Sequence, residues 1–336
     1  VTNVSEIRDD MWTRAEDPSS VGAVRRIAVE LAQAAGFGAE RVGQVAVAVT
    51  EAVSNLVKHA VEGMALVRPR PDMPDVVELL TMDRGPGMPD VARAMRDGYS
   101  TSGTLGIGLG AIRRMASAYD VHSLPGKGTL LAAQFAAGPA VAPARVSGLV
   151  RPIGEETVAG DAFAVATRGS VVTVMVCDGL GHGPAAALAS REAVELFLRA
   201  PHDEPVTILR RLHVGLARTR GGAVAVVRVG REKVSFAGLG NIAGWITYGD
   251  RRQGMVSVPG IAGHQGRRFQ QYDYELDEHA TIVLHSDGLT DRWSPSQVPG
   301  LFSRTPVVIA AGLLREAGSR RDDACVVIVR PQHERP

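Results

Sequence analysis

The run Val171 to Val176 is β-branched and apolar, and it breaks almost at once into Asp178-Gly179-Leu180-Gly181-His182-Gly183. A strand ends where glycines become this dense, which leaves the Asp178 carboxylate at a strand end beside exposed backbone carbonyls. Three more aspartates stand in the same kind of place: Asp161 before Phe163 to Thr167, Asp287 after Thr281 to Leu284, and Asp322 before Ala324 to Val329. One Asp-Gly is more often a turn than a ligand. Four aspartates that each abut a β-rich run are hard to explain as coincident turns. Hard oxygens gathered from several strand ends suit a divalent cation, and without His or Cys partners the donor set favours Mg²⁺ or Mn²⁺ over zinc.

The chain has 336 residues, enough for two ordinary domains. A run of Ala, Gly, Pro and Val with little charge, Ala136 to Arg151, shows no sustained period and is expected to separate them. Before it the pattern predicts helices over Val21–Ala35 and Ala39–Ala60, a strand over Val76–Met82, a helix over Gly108–Ala118, and a hairpin of Asp120–Leu124 with Thr129–Phe135. Val67 to Pro74 holds three prolines and is expected to be a loop. After the boundary strands dominate, interrupted by helical patterns near Pro184–Leu198, Pro205–Ala217 and Pro306–Glu316.

Lys and Arg number 37 against 36 Asp and Glu, so no global field favours nucleic acid or an anionic membrane. The two cysteines, Cys177 and Cys325, lie in apolar runs and read as small buried hydrophobes of a reducing compartment. Val1 to Pro18 is polar and acidic, and no apolar stretch reaches the roughly 18 residues of a membrane helix. The expectation is a soluble, cytoplasmic protein.

In the helix after Ala39, Val42, Val45, Val49, Val53 and Leu56 define a buried face. Glu51 and Asn55 fall on another face, one turn apart, and can address one ligand together. Further on come Asp83-Arg84-Gly85-Pro86-Gly87, and then Gly103-Thr104-Leu105-Gly106-Ile107-Gly108-Leu109-Gly110 opening a helix. Such glycines let backbone amides approach phosphates at a helix N-terminus. A dinucleotide-binding reading fails because the polar Tyr99-Ser100-Thr101-Ser102, not a strand, precedes the glycines.

These three blocks, in this order, resemble the GHKL ATPase fold, and within it the RsbT-like serine/threonine switch kinases of bacterial anti-sigma modules. The resemblance spans about Arg25 to Phe135. It implies ATP or ADP bound with Mg²⁺: Asn55 holding the cation, Asp83 receiving the adenine amino group, and Gly85, Gly87, Gly103, Gly106, Gly108 and Gly110 forming the nucleotide loops. Glu51 would be the general base toward a substrate hydroxyl.

In the second half, Gly154-Glu155-Glu156, Gly160-Asp161, the Asp178 block, Gly238-Leu239-Gly240-Asn241, His285-Ser286-Asp287-Gly288 and Arg321-Asp322-Asp323 form an ordered set. It resembles the metal-dependent type 2C protein phosphatases of the SpoIIE-type branch, its RsbX-like members above all. The resemblance implies two Mn²⁺ or Mg²⁺ ions held by Asp161, Asp178, the Gly179 carbonyl, Asp287 and Asp322, with Asp323 able to take the place of Asp322. Water is then the nucleophile, so no cysteine is needed. His182 is a candidate proton donor to the leaving serine oxygen, weighed against a structural histidine. Arg320 and Arg321 read first as surface arginines.

The fold expected is therefore α+β in two domains. A GHKL (Bergerat) α/β sandwich covers 1–137, a linker 138–150, and a type 2C phosphatase αββα sandwich 151–336. The function expected is a phosphatase acting on a phosphorylated STAS-domain anti-sigma antagonist in a partner-switching pathway, tied to a sigma factor or stress-signalling complex. Its rival keeps the phosphatase but makes the first domain a nucleotide-gated binding module that transfers no phosphate.

Overall fold

The computed structural model describes residues 2–6, 10–95, 108–138, 141–154, 156–266, 268–319 and 321–332. The chain divides into two compact units. An amino-terminal unit comprises Asp10–Pro143 with Ser303–Arg315, and a carboxy-terminal unit comprises Val1–Asp9, Ala144–Phe302 and Glu316–Pro336.

In chain order the elements begin with β1 (Thr2–Glu6), β2 (Trp12–Arg14), α1 (Pro18–Ala34), α2 (Ala39–His59), β3 (Met64–Arg70), β4 (Met73–Met82), α3 (Val91–Ala94), α4 (Gly108–Met115), β5 (Ala118–Ser123) and β6 (Thr129–Phe135). They continue with β7 (Val146–Arg151), β8 (Asp161–Arg168), β9 (Val171–Gly179), α5 (Pro184–Leu198), α6 (Pro205–Gly215), β10 (Gly222–Val229), β11 (Lys233–Leu239), β12 (Ala243–Tyr248), β13 (Arg251–Met255), β14 (Tyr272–Glu275), β15 (Thr281–His285), α7 (Pro306–Ala317) and β16 (Ala324–Val329).

In the amino-terminal unit an antiparallel sheet, ordered β2-β3-β4-β6-β5, is covered by α1 and α2. Asp17 starts α1 by accepting from the Ser19 N–H at 2.7 Å, with Pro18 at the first helical position. Val24, Ala28 and Ala32 of α1 and Val45, Val49 and Val53 of α2 then bury against Leu79, Leu131 and Ala133 of the sheet. The result is the two-layer α/β sandwich expected.

The expected loop at Val67 to Pro74 is instead the heart of a hairpin. Arg68 pairs with Glu78 and Pro69 with Val77, and the register shifts between Pro69 and Arg70. The prolines survive because they fall where the ladder is already interrupted: at that irregularity, at the Pro71-Asp72 turn, and at the exposed start of β4. Polar side chains reinforce the pairing. Arg68 Nη1 lies 2.8 Å from Asp10 Oδ1 and Nη2 lies 3.0 Å from Glu78 Oε2, all three side chains being buried.

The carboxy-terminal unit stacks two antiparallel sheets, ordered β1-β8-β9-β10-β11-β14 and β13-β12-β15-β16-β7. Val174 and Val176 of β9, Val227 of β10, Ile282 and Leu284 of β15 and Val327 of β16 share one core between them. That pooling is the signature of face-to-face sheet packing. The alternate residues Met175, Cys177, Val224 and Val226 face the other way and bury against Phe197 of α5 and Ile208 and Leu212 of α6. Both cysteines are fully buried, as their apolar settings predict.

The expected linker at 138–150 is corrected. Val146 to Val150 is buried and forms β7, paired with β16 from Val146↔Val329 to Arg151↔Ala324. Its small, mixed composition hid a strand whose partner lies far away in sequence. Among the described residues, no helix is long and apolar enough to cross a membrane.

Candidate functional site

The antiparallel register of β8 and β9 sets Asp161 directly opposite Asp178. Asp287 follows β15, and Asp322 precedes β16, the strand that pairs with β15. Asp178, Asp287 and Asp322 line one cavity of about 540 Å³ in the carboxy-terminal unit. Thus three of the four sequence-predicted aspartates meet at one space, and the fourth abuts it across a strand pair.

Their electrostatics reflect this crowding. Burial pushes the Asp178 carboxyl up to about 7, helped by the charges of Asp287 and Asp322. The Asp287 carboxyl is also raised, by burial and by Asp322, while its hydrogen bond with Asp178 works the other way, so Asp178 keeps the proton and Asp287 accepts it. Asp161 is almost wholly buried and is pushed well above the carboxylate range by that burial and by Asp178. Its Oδ2 accepts from the Ser286 hydroxyl at 2.6 Å, and that hydroxyl in turn accepts from the Cys325 N–H at 2.9 Å. Crowded carboxylates with oxygen donors only are what Mg²⁺ or Mn²⁺ relieves. Among the described residues no three of these groups stand ready-closed as an ion cage.

Asp322 and Asp323 are placed differently. Asp323 is buried and both of its oxygens are occupied, Oδ1 by the Ile153 N–H and Oδ2 by the Gly160 N–H, each at 2.7 Å. Asp322 is the one that faces the cavity. His182 is not among the cavity's lining residues; its Nδ1 lies 2.7 Å from Glu156 Oε1. Sequence reasoning also missed two supports. Asn241 donates through Nδ2 to Asp287 Oδ2 at 2.7 Å, and Ser286 holds Asp161. Both were legible as residues beside a motif, but their partners are set by strand pairing.

In the amino-terminal unit, Glu51 and Asn55 are half-buried on α2, which packs on α4. Asp83 directly follows the strand β4 and is buried; its Oδ1 accepts from the Gly85 N–H at 2.6 Å and its Oδ2 from the Thr129 N–H at 3.2 Å. Burial raises its pKa, and those two bonds with the Arg315 charge oppose the rise. Gly128, which reads as a plain turn residue, packs on Asp83: at φ +76° it passes the Asp83 carbonyl so closely that a Cβ would lie 2.1 Å from that oxygen. Gly87 lies in the same loop region, and Gly108 and Gly110 open α4. Gly103 and Gly106 lie outside the described residues.

Residues 15–135 match the family model of the histidine kinase-like ATPase domain, and residues 168–332 match that of stage II sporulation protein E (SpoIIE). The serine/threonine-protein kinase RsbT of Bacillus subtilis (strain 168) is 29% identical over 124 residues, covering 37% of this chain and 93% of RsbT. Among solved structures, a chain described under "The bacterial stressosome: a modular system that has been adapted to control secondary messenger signaling" is similar at 28% identity and a TM-score of 0.52, covering 55% of this chain and 98% of its own. The crystal structure of RsbX in complex with magnesium is similar at 17% identity and a TM-score of 0.48, covering 56% of this chain and 96% of its own.

Proposed function

In a chain that joins a histidine kinase-like ATPase domain to a SpoIIE-type serine/threonine phosphatase domain, we propose that both sites act on the phosphorylation state of one small protein partner. The partner is a phosphorylated STAS-type anti-sigma antagonist within a partner-switching pathway. The likeness to RsbT and to a stressosome component supports that class of partner. The observation that carries the phosphatase half is the meeting of Asp178, Asp287 and Asp322 in one cavity.

Mg²⁺ or Mn²⁺, held by Asp161, Asp178, Asp287, Asp322 and the Gly179 carbonyl, would supply Lewis-acid polarisation of the phosphoryl group and an acidified water. The chain's own residues do the rest. Asn241 orients Asp287, and Ser286 fixes Asp161. Asp323 ties the loops bearing Ile153 and Gly160 to the start of β16. The buried Cys177 thiol, pushed well up by burial, is no nucleophile. In the ATPase half, Asp83 takes the adenine amino group, Asn55 the cation on the phosphates, Gly85, Gly87, Gly108 and Gly110 the nucleotide loops, and Glu51 the proton of the acceptor hydroxyl.

The test is hydrolysis of p-nitrophenyl phosphate, and of a phosphorylated STAS-domain protein, in EDTA, Mg²⁺ or Mn²⁺ and with or without ATP. Metal-dependent turnover of both substrates is expected. Absence of turnover in every metal would overturn the phosphatase reading, and turnover without phosphate transfer from ATP would leave the ATPase domain as a nucleotide-gated binding module.

A further inference from the structure

The cavity that holds Asp178, Asp287 and Asp322 is lined by no lysine, arginine or histidine among the described residues. Its substrate, on the phosphatase reading, brings a phosphomonoester that is nearly a dianion at neutral pH. Carboxylates and phosphate then repel one another wherever a cation does not stand between them. A positive side chain at the rim is what such a site needs.

One arginine stands there. Gly181 lines the cavity with φ at +85°, and Arg220 Nη1 lies 3.3 Å from the position a Cβ on Gly181 would take. The backbone of Arg220 is held next to the Asp178 loop rather than left to wander. The Leu180 N–H donates to the Gly221 carbonyl at 3.0 Å, and Gly222 pairs with Gly179 at the start of β10. The turn before it is closed by the Gly221 N–H on Thr219 Oγ1 at 2.9 Å, and a His264 ring nitrogen lies 3.1 Å from the Thr219 carbonyl. Arg220 itself is exposed. Among the described residues it makes no hydrogen bond or ion pair, whereas Arg211 and Arg228 on the neighbouring elements are engaged by Asp203 and Glu204. A guanidinium on a backbone held at the edge of an acidic cavity, with its five donors uncommitted, is available to an incoming oxyanion.

We propose that Arg220 is the phosphate-recognition residue of the phosphatase site, its planar fork taking the non-bridging oxygens of the phosphoserine or phosphothreonine. Arg220 adds to substrate binding and leaves the four aspartates to their own work. The inference rests on the phosphatase reading.

The experiment compares the full-length parent with Arg220→Ala and Arg220→Lys. Each is assayed with p-nitrophenyl phosphate and a phosphoserine peptide for kcat and KM, with inorganic phosphate as a competitive inhibitor, and by calorimetric titration of Mn²⁺. Arg220→Ala is expected to raise KM and the phosphate inhibition constant about 10- to 100-fold, the span of a charged hydrogen-bonded pair. The Mn²⁺ affinity should stay that of the parent, and Arg220→Lys should recover part of the loss. Unchanged KM and phosphate inhibition in Arg220→Ala, with the parent active, would overturn the role of Arg220 alone. A weakened Mn²⁺ affinity would overturn it too, by making the residue structural. An inactive parent would overturn the phosphatase reading itself.

Discussion

Asn241 donates its side-chain amide to Asp287 Oδ2 at 2.7 Å, fixing a carboxylate that follows one strand with a residue that precedes another. Asp287 is exposed, and its carboxyl is raised by partial desolvation and by Asp322, so without this bond it is free to swing away from Asp322. Asn241→Ala is expected to weaken Mn²⁺ binding about 10- to 100-fold, the usual cost of removing a group that orients a ligand, while the protein stays folded. Calorimetric titration and circular dichroism check this. Parent-like affinity in the variant would remove Asn241 from the site.

Asp178→Ala and Asp287→Ala are each expected to abolish metal-dependent hydrolysis and to leave ATP binding as in the parent. The two aspartates share the cavity with Asp322, and each removes a donor and a charge. Residual Mn²⁺-dependent turnover in either variant would contradict their assignment.

The metal-free protein should show the cost of the acidic cluster as a pH effect. The Asp178 carboxyl sits at about 7 in the folded chain against 3.8 ordinarily. A raised value means that the folded state binds the proton more tightly than the unfolded state. Its contribution to stability is therefore complete below about pH 4 and is lost as pH rises through about 7. In EDTA the carboxy-terminal unit is expected to melt at a higher temperature at pH 5.5 than at pH 8, and Asp178→Asn should flatten that slope and stabilise the pH 8 state by on the order of 2 kcal/mol. Calorimetric melting of parent and variant across that range decides it, and identical slopes would refute the coupling.

Asp83→Asn keeps the size of the side chain but halves its acceptors, and the two N–H groups of Gly85 and Thr129 that it serves then compete for one oxygen. ATP and ADP affinity should fall at least about tenfold, the value of one charged hydrogen bond. Glu51→Ala should keep nucleotide affinity and lose phosphoryl transfer. Equal nucleotide titrations for the Asp83 variant and the parent would speak against the adenine site.

Arg68 lies buried between Asp10 and Glu78, and Glu78 also accepts from Gln134 Nε2 at 2.9 Å. Arg68→Ala would take the counter-charge from two buried carboxylates, and the amino-terminal unit is expected to lose about 3–5 kcal/mol in denaturant unfolding. A loss below about 1 kcal/mol, the value of a surface pair, would show that water reaches the network.

The elements that could be read directly were those whose signal is local. The α2 helix announces itself through Val45, Val49 and Val53, and β9 through its β-branched run and the glycines that end it. The strand β3, expected as a loop through its prolines, and the strand β7, expected as a linker, carry their stabilising contacts on other segments of the chain. Arg68 is paired with Asp10 and Glu78, and Val146 to Arg151 finds its ladder on β16. No short window along the chain contains the Asp10–Arg68 pair or the β7–β16 ladder.

The same division runs through the sites. The residue types that can bind a divalent cation or a nucleotide, Asp161, Asp178, Asp287, Asp322 and Asp83 with their glycines, are determined by the chain's own order, because strand ends and glycine breaks are local properties. Which of two adjacent aspartates faces the cavity was decided only by folding. At the start of β16 successive side chains point to opposite sides, and the side that receives the Ile153 and Gly160 N–H groups takes Asp323 and leaves Asp322 to the cavity. Asn241 on Asp287, Gly128 on Asp83 and Arg220 beside Gly181 are likewise products of register and loop closure, where backbone hydrogen bonding between distant segments chooses the neighbours.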